Sequence, residues 1–421
     1  MAYPSTTTAP PVDLQITGLG GLGDGVGRLA DGQVVFVPGA VPGDHLQVQV
    51  VGKRQGVLRG QLLAIRQPSQ DRVTPPCAAF GQCGGCDLQH LSDAARLRHH
   101  QQHLQRVVGA ALAVDAVAVQ AAGHRRRARL HVRQTQGSLV VGMLTARSDQ
   151  VAQTEHCPAL SAALEAVRQR APAALQDFLY LGELSLVLGS AGVVAMLSGK
   201  VRSSPPTARE LSARLGVVGL RYRLGQHADQ WGEDDVALPE VDAPWVVRTQ
   251  PDGFCQASEQ ANRALRSVVA AAVRDAGEFA RAAEFYAGSG NFTDLLLRPG
   301  AQVVAFEQDE AACGQLARAA RDAGWSDRLR IVQGDVAAQL SAAAGSEVWL
   351  LDPGRPGAPE LCAAAGRLAP RDVIYVSCAL DTLGRDARTL AGHGLVPVQA
   401  TIIDGFAWTV HAEAVVRFAR Q

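Results

Sequence analysis

The pattern of apolar and polar positions divides the chain into three parts. Residues 12–67 alternate apolar and polar side chains over short stretches separated by glycine-rich turns, which is typical of half-buried strands. Residues 68–245 mix amphipathic helices with alternating strands. From residue 246 onward, short apolar runs are separated by helical stretches, which is typical of a parallel sheet covered on both faces. The sequence therefore predicts a multidomain α/β protein with domains at 12–67, 68–245 and 246–421.

The first domain is predicted to be a small β-barrel similar to an oligonucleotide-binding fold. Its strands are expected near Leu14–Ile16, Val34–Val37, Leu46–Val50 and Arg59–Ile65. A purely structural barrel and an oligonucleotide-binding barrel are equally compatible with this segment. Residues 1–11 are rich in threonine, proline and alanine and are expected to be disordered.

The second domain is predicted to be α+β. The expected elements are a helix at 92–108, a strand at 130–132, a helix at 160–175, and paired strands at 184–188 and 193–197. Residues 160–240 contain no motif that indicates chemistry.

The third domain is predicted to be a doubly wound, Rossmann-like sheet preceded by a helix at 258–276. Its parallel strands are all short and almost wholly apolar, and they are expected at 283–286, 303–306, 329–332, 348–351 and 373–376. An antiparallel pair at 395–403 and 412–418 is expected to complete the sheet.

Composition limits the class of protein. The 421 residues, 47% hydrophobic and 19% charged, are enough for two or three globular domains. The sequence contains no apolar stretch of membrane-spanning length and no signal-peptide pattern at its start, so we expect a cytoplasmic protein. A monomer is also expected. Eight cysteines are too few for a disulfide scaffold, and clustered cysteines in a reducing compartment indicate metal binding or catalysis.

Charge is unevenly distributed although the net charge is zero. Residues 1–160 contain 15 Lys and Arg against 10 Asp and Glu, a balance of +5, and residues 161–421 contain 25 against 30, a balance of −5. Four arginines, Arg125, Arg126, Arg127 and Arg129, stand together in the basic third. A solvated face is one interpretation, and a phosphate-binding patch for RNA is the favoured one.

A glycine turn follows the first strand of the third domain. Gly288 and Gly290 lie where a doubly wound sheet binds a nucleotide-like ligand, and Glu307, at the end of the next strand, can accept hydrogen bonds from ribose hydroxyls. The third glycine of the dinucleotide pattern is missing, because Asn291, Phe292 and Thr293 follow. An adenosine ligand without phosphates, namely S-adenosylmethionine, therefore fits better, and a tight strand–helix turn is the alternative.

Other reactive residues end the neighbouring strands. Asp352 and Arg355 follow the fourth strand, and Cys378 follows the fifth. Most lone cysteines in apolar strands are packing residues, but a position at a strand end on the ligand side favours a nucleophile. His411 and Glu413 are expected to share one face of the last strand, where a carboxylate that points into the crevice can act as a base.

Four other cysteines form a separate pattern. Cys77, Cys83 and Cys86 follow a C-x5-C-G-G-C spacing, and Cys157 stands in a distant H-C-P. Four thiolates suit an iron–sulfur cluster, and they also suit structural zinc.

Together these residues resemble the RNA 5-methyluridine methyltransferase family. The most similar branch joins a TRAM domain and an iron–sulfur cluster to an S-adenosylmethionine domain and acts on ribosomal RNA. The resemblance covers residues 12–421. It rests above all on Pro75-Pro76-Cys77, Cys83-Gly84-Gly85-Cys86, His156-Cys157-Pro158, Ser377-Cys378, and the ending with His411 and Glu413.

The resemblance implies a role for each matching residue. Cys378 would be the nucleophile and Glu413 the base. The other implied residues hold a 4Fe–4S cluster or line the S-adenosylmethionine site. The cluster ligands are Cys77, Cys83, Cys86 and Cys157, and the cofactor residues are Gln256, Tyr286, Gly288, Gly290, Asn291, Glu307, Asp335 and Asp352.

The chain departs from the family at several positions. Gly354 replaces a proline, Ala379 and Leu380 replace an asparagine and a proline after the nucleophile, and Glu284 replaces an aspartate. We expect 5-methyluridine formation in 23S ribosomal RNA. The alternatives are a transfer RNA uracil-C5 methyltransferase and an inactive iron–sulfur RNA-binding protein.

Overall fold

The computed structural model describes residues 10–54, 56–135, 137–239 and 244–421, which form two compact units. The first unit contains the described residues up to His99 together with 144–154 and 408–410, and the second contains the rest. The predicted disorder of residues 1–11 lies outside the described residues except at Pro10 and Pro11. Within the described ranges, no helix has the length and apolar character required to cross a membrane.

The first unit contains the predicted barrel. Its strands are β1 (Val12–Leu19), β2 (Gly25–Arg28), β3 (Val34–Val37), β4 (His45–Arg54) and β5 (Val57–Gln67), closed in the order β1-β2-β3-β5-β4. Alternate residues such as Leu14 and Ile16 point inward and are buried, as the alternation predicts. Gly60 is required inside the barrel, because a Cβ there would lie 2.4 Å from Val48.

Helix α1 (Asp93–Val108) and strand β6 (Val114–Val117) follow the cysteine-rich loop in the chain. A six-stranded sheet then forms in the second unit, in the order β12-β11-β10-β9-β7-β8. Its elements are β7 (Arg127–Gln134), β8 (Leu139–Gly142), α2 (Ala162–Leu175), β9 (Leu179–Gly189), β10 (Gly192–Val201), α3 (Ala208–Leu215), β11 (Gly219–Leu224) and β12 (His227–Gly232). The predicted pairing of β9 with β10 is antiparallel and confirmed.

The second unit also contains an eight-stranded sheet, in the order β17-β16-β15-β18-β19-β21-β20-β6. Its elements follow the short pair β13 (Val236–Ala237) and β14 (Arg248–Thr249). They are α4 (Glu259–Asp275), β15 (Arg281–Phe285), α5 (Thr293–Leu296), β16 (Gln302–Glu307), α6 (Glu310–Asp322), β17 (Leu329–Gln333), a 3-10 helix (Ala337–Ala343), β18 (Val348–Leu351), α7 (Pro359–Leu368), β19 (Asp372–Ser377), α8 (Leu380–Gly392), β20 (Leu395–Ile403) and β21 (Glu413–Arg420).

This sheet confirms the predicted doubly wound architecture. Strands β15 to β19 are mutually parallel, and β21 runs antiparallel between β19 and β20. Because the parallel strands share one direction, the loops after β15, β16, β18 and β19 all emerge at the same edge. The sequence did not predict β6, which pairs in parallel with β20 and completes the sheet at that end.

Candidate active site

The glycine turn after β15 has a backbone that few residues tolerate. Gly288 and Gly290 have φ values of +55° and +92°, and Tyr286 adopts +64° although it is not glycine. A β-carbon at Gly290 would lie 2.6 Å from Leu316, whereas nothing lies within 4 Å of such an atom at Gly288. A left-handed tyrosine costs conformational energy, and such residues cluster at ligand sites. The turn therefore presents open backbone at Gly288.

Glu307, at the end of β16, holds this turn in place. One carboxylate oxygen accepts a hydrogen bond from Gly288 N at 2.7 Å, and the other accepts from Gln308 N and Asp309 N at 2.7 and 2.8 Å. A carboxylate has about four acceptor positions, so one remains for a ribose hydroxyl. These residues fit an adenosine ligand, with backbone at Gly288 and an acceptor at Glu307.

The other predicted cofactor residues are placed differently from one another. Asn291 and Asn262 exchange two side-chain hydrogen bonds of 2.8 Å, so the Asn291 amide is engaged within the protein. Asp335 is exposed beyond β17 and accepts from Ala337 N at 2.7 Å. Gln256 is buried. Sequence reasoning missed Asn262, and its only signal was a polar residue on the apolar face of α4.

Arg126 anchors the Gln256 segment. Its guanidinium Nε donates to Gln256 O at 3.0 Å, and its backbone N donates to Ala257 O at 2.8 Å. The side chain is only 3% exposed. The prediction that Arg126 lies in an RNA-facing patch is therefore wrong, because this guanidinium is inside the protein.

The other three arginines of the predicted patch retain some exposure. Arg125 and Arg127 are half-buried, and Arg129 is exposed beside Glu183, with Nε and Oε1 3.2 Å apart. Arg127 and Arg129 are two positions apart in β7 and share one face of the strand, whereas Arg125 and Arg126 precede it.

The thiol of Cys378 lies directly after β19, opposite the start of β21. In the antiparallel pairing Ser377 is opposite Ala414, so the next step outward places Cys378 opposite Glu413. Burial, and to a smaller extent the carboxylates of Glu413 and Asp352, together raise the pKa of the Cys378 thiol to about 11, and the Arg355 guanidinium opposes them. The three ionisable side chains predicted around Cys378 are therefore brought together.

Glu413 is a buried carboxyl group with unused hydrogen-bonding capacity. It is 4% exposed, and its Oε2 atom has no hydrogen-bond partner among the described residues. Burial raises the pKa of this carboxyl group, and nearby Asp352 raises it further. Burial also raises the pKa of Asp352. A carboxyl group with a raised pKa can exchange a proton near neutral pH, as a general base requires.

The environment of His411 differs from the prediction. His411 precedes β21, which begins at Glu413, so these two residues do not share a strand face. Instead, His411 Nε2 lies 3.2 Å from the Arg355 guanidinium, and the Phe406 ring packs edge-on against the imidazole. His411 lies outside the strand because it directly follows the turn at 407–410, where Trp408 has a positive φ.

The backbone around Cys378 is fixed by its neighbour. Ser377 Oγ lies 3.1 Å from both the amide nitrogen and the carbonyl oxygen of Ala379. A hydroxyl can accept from one and donate to the other, so the turn is closed without a side chain at 379. The structure therefore explains how the turn is held with alanine at this position.

A second buried carboxyl group lies beneath the glycine turn. Glu284, in β15, is 1% exposed, and its Oε2 atom has no hydrogen-bond partner in the described part of the chain. Burial, together with the nearby charges of Asp294 and Asp352, raises the pKa of Glu284 to about 8.

The cysteines of the predicted cluster are distributed between the two units. Cys77, Cys83 and Cys86 belong to the first unit and Cys157 to the second, and all four are thiols of intermediate exposure. Cys77 N donates to Gln89 Oε1 at 3.2 Å, and Cys157 N donates to Glu165 Oε1 at 3.3 Å. In the ranges described, no group of three or more His, Cys, Asp or Glu side chains is arranged to hold a metal ion. The backbone amides of Cys77 and Cys157 are each held by one of these hydrogen bonds, and four thiols are the donor type that such a cluster requires.

Comparison with known proteins agrees with this description. The TRAM domain family matches residues 12–63. The 23S rRNA (uracil(1939)-C(5))-methyltransferase RlmD of Halomonas elongata is 33% identical over 96% of this chain and 88% of its own. The same enzyme of Pseudomonas putida is 32% identical over 96% and 93%. In fold, the chain is similar to the Pyrococcus abyssi tRNA (uracil-54, C5)-methyltransferase in complex with S-adenosyl-L-homocysteine, with a TM-score of 0.76, 20% identity, and coverage of 97% and 100%.

Proposed function

Because the chain belongs to the RNA uracil-C5-methyltransferase family, we propose that it forms 5-methyluridine in 23S ribosomal RNA. One observation supports this activity above the others. A thiol and a carboxyl group, Cys378 and Glu413, lie opposite each other at the edge of the sheet where the glycine turn also emerges.

The reaction needs one nucleophile and one base. The Cys378 sulfur adds to C6 of uracil, forming an S–C6 bond and making C5 nucleophilic. When bound, S-adenosylmethionine supplies the methyl group that C5 accepts. Glu413 then removes the C5 proton, the S–C6 bond breaks, and Cys378 leaves as a thiolate.

The residues around the thiol set its ionisation. A thiol with a pKa near 11 is mostly protonated at neutral pH, so attack needs a change in its surroundings. A proton on Asp352 would remove one of the two negative charges that oppose the thiolate, whereas Glu413 must be unprotonated when it accepts the C5 proton. The positive charge of Arg355 would then stabilise the Cys378 thiolate.

The cofactor proposal is S-adenosylmethionine, held by the residues implied above. Gly288 and Glu307 support it best, because one offers open backbone and the other an acceptor at the end of β16. Tyr286 follows β15 and Asp335 follows β17, so both come from loops at the edge of the sheet that carries the glycine turn. Asn291 would contribute through its backbone, since its side-chain amide is already engaged by Asn262.

Ribosomal RNA is proposed over transfer RNA because the similar relatives named above act on 23S rRNA, whereas the transfer RNA enzyme shows likeness of fold only. The uridine equivalent to 1939 is the proposed target, since that position is in the relatives' names. We also propose a cytoplasmic monomer that binds RNA with its TRAM domain and with Arg125, Arg127 and Arg129. The target base must leave its stack to reach a buried thiol.

We further propose that Cys77, Cys83, Cys86 and Cys157 hold a 4Fe–4S cluster. The support is the sequence resemblance and the thiol state of all four residues. The cluster would stabilise the fold, and no step of methyl transfer is assigned to it.

The deciding experiment is nucleoside analysis of 23S and transfer RNA from cells with and without the gene. We expect 5-methyluridine to disappear from 23S rRNA alone and to return with the intact protein but not with Cys378→Ala. Loss from transfer RNA alone would reassign the substrate, and no loss in any RNA would refute the proposed activity.

A further inference from the structure

We propose that three side chains of α8, Thr382, Arg385 and Asp386, are positioning residues that set Arg355 beside Cys378. We refer to these three residues as the α8 clamp. The inference rests on the proposed function, and it assigns to α8 a task beyond packing against the sheet.

The clamp contacts the loop after β18 at three successive places. Thr382 Oγ1 lies 3.1 Å from the carbonyl oxygen of Arg355. Arg385 Nη2 donates to Pro356 O at 2.8 Å. Asp386 Oδ2 accepts from Ala358 N at 2.7 Å. The backbone from Arg355 to Ala358 is therefore tied to one helix by three different side chains.

The same clamp is tied to the strand that precedes Cys378. Asp386 is fully buried, and its Oδ2 atom also accepts a hydrogen bond of 2.7 Å from the hydroxyl of Tyr375. Tyr375 lies three residues before the nucleophile. Thr382 Oγ1 lies 2.9 Å from Ala379 O, directly after the nucleophile. One helix turn thus contacts both sides of Cys378 and the Arg355 loop, which fixes their relative positions.

The loop has a particular need for such support. Gly354 stands where proline would stiffen the backbone, and glycine loses more conformational entropy on ordering. Gly357 has a φ of +76°, and a Cβ there would lie 2.5 Å from Asp386 Oδ2, so the loop passes directly against the clamp. The clamp therefore supplies the order that the loop sequence lacks.

The functional consequence is electrostatic. Charged groups from two elements act on the Cys378 thiol: Asp352 and Arg355 from the loop after β18, and Glu413 from β21. His411, before β21, contacts the Arg355 guanidinium. Arg355 is the cation that lowers the pKa of the thiol. If the loop loosens, Arg355 moves away and the thiolate becomes less favourable.

The test is the pH dependence of Cys378 alkylation by iodoacetamide. It uses the full chain purified without oxygen and follows the Cys378 peptide by mass spectrometry. Arg355→Gln gives the largest expected shift, upward by roughly one pH unit, because an opposing charge at short range shifts a pKa by about that amount or more. Thr382→Val and Gly357→Ala should shift the profile in the same direction by a smaller amount. Thr389→Val is the matched control, since its hydroxyl donates within α8 to the backbone carbonyl of Arg385 rather than to the Arg355 loop, and it should leave the profile unchanged.

Methyl transfer provides the second measurement. Thr382→Val should lower kcat about tenfold, while the KM for S-adenosylmethionine stays within about twofold, because misplacement acts at the reacting atoms. An unchanged alkylation profile in both Thr382→Val and Gly357→Ala would refute the positioning role of the α8 clamp, even if both variants unfolded more easily. Alkylation needs no RNA, so a wild-type protein without methyltransferase activity would refute the proposed function and leave this test intact.

Discussion

Cys378 and Glu413 are the first residues beyond the last paired position of β19 and β21, where Ser377 is opposite Ala414. Because β19 and β21 are adjacent antiparallel strands, this register brings a thiol and a carboxyl group close to each other. Each group disfavours ionisation of the other, so one negative charge is more stable than two. The pair is therefore suited to a reaction in which a thiolate and a carboxylate are needed at different steps.

Replacing Cys378 with alanine should abolish methyl transfer and retain cofactor and RNA binding. The reason is that the S–C6 bond cannot form, whereas the glycine turn and the RNA-facing residues are unchanged. The measurement is transfer of a labelled methyl group to 23S rRNA, together with binding of both ligands. Cys362→Ala, at a buried cysteine in α7, should keep the activity. Full activity in the Cys378→Ala form would refute the nucleophile.

Replacing Glu413 with glutamine should trap a covalent protein–RNA adduct. The amide cannot remove the C5 proton, so Cys378 cannot leave. The same change should lower the pKa of Cys378, because the Glu413 charge raises it. Denaturing gels measure the adduct, and Glu310→Gln, at the exposed start of α6, is the control. Normal turnover without an adduct would remove Glu413 from the mechanism.

The protein purified without oxygen should be brown and contain about four iron and four sulfide per chain, as a 4Fe–4S cluster requires. Visible absorption spectra, together with iron and sulfide analysis, measure the cluster content of each chain. Cys83→Ser should lose the colour, and Cys313→Ser, outside the proposed ligand set, should keep it. A colourless protein with one zinc per chain would contradict the cluster and support the zinc alternative.

Arg129→Gln and Arg126→Gln should behave in opposite ways. Arg129 is exposed, so its loss should weaken RNA binding and reduce the salt dependence by about one counterion. Arg126 is buried and holds Gln256, so its loss should lower stability by roughly 1–3 kcal/mol. RNA binding across a salt series and urea unfolding distinguish them. An unchanged salt slope in Arg129→Gln would assign that residue a structural role.

Stability should fall as pH rises from about 4.5 to about 8, in part because of Glu284. Its pKa is about 8 in the folded protein against an ordinary value of 4.5, so the unfolded chain releases this proton first. Glu284→Gln should flatten that part of the profile, since an amide does not ionise. Urea unfolding at pH 5 and pH 8 measures the difference. An equal slope in the variant and the parent would show that Glu284 is not the source.

Much of the fold could be predicted because the periodicity is local. The apolar runs at 303–306 and 348–351 and the alternation at 46–50 each form the predicted strand. The edge strand β6 could not be predicted, because Val114-Asp115-Ala116-Val117 is short and becomes a strand only through pairing with β20.

The sequence could predict those site residues whose positions follow from the ends of the parallel strands. Asp352 and Cys378 lie together because their parallel strands end at one edge. The engagement of Asn291 by Asn262, the burial of Arg126 and the approach of His411 to Arg355 depend on packing between segments far apart in sequence. No local pattern encodes such contacts.

The position of β6 determines where the chain can be cut for recombinant work. A fragment that starts at residue 246 would contain the glycine turn, Cys378 and Glu413, but it would lack residues 114–117. The backbone of Ala400–Ile403 would then be an unpaired sheet edge, which invites strands from other molecules. Such a fragment is expected to self-associate. A fragment that also contains α1 and β6 is expected to remain free of this association.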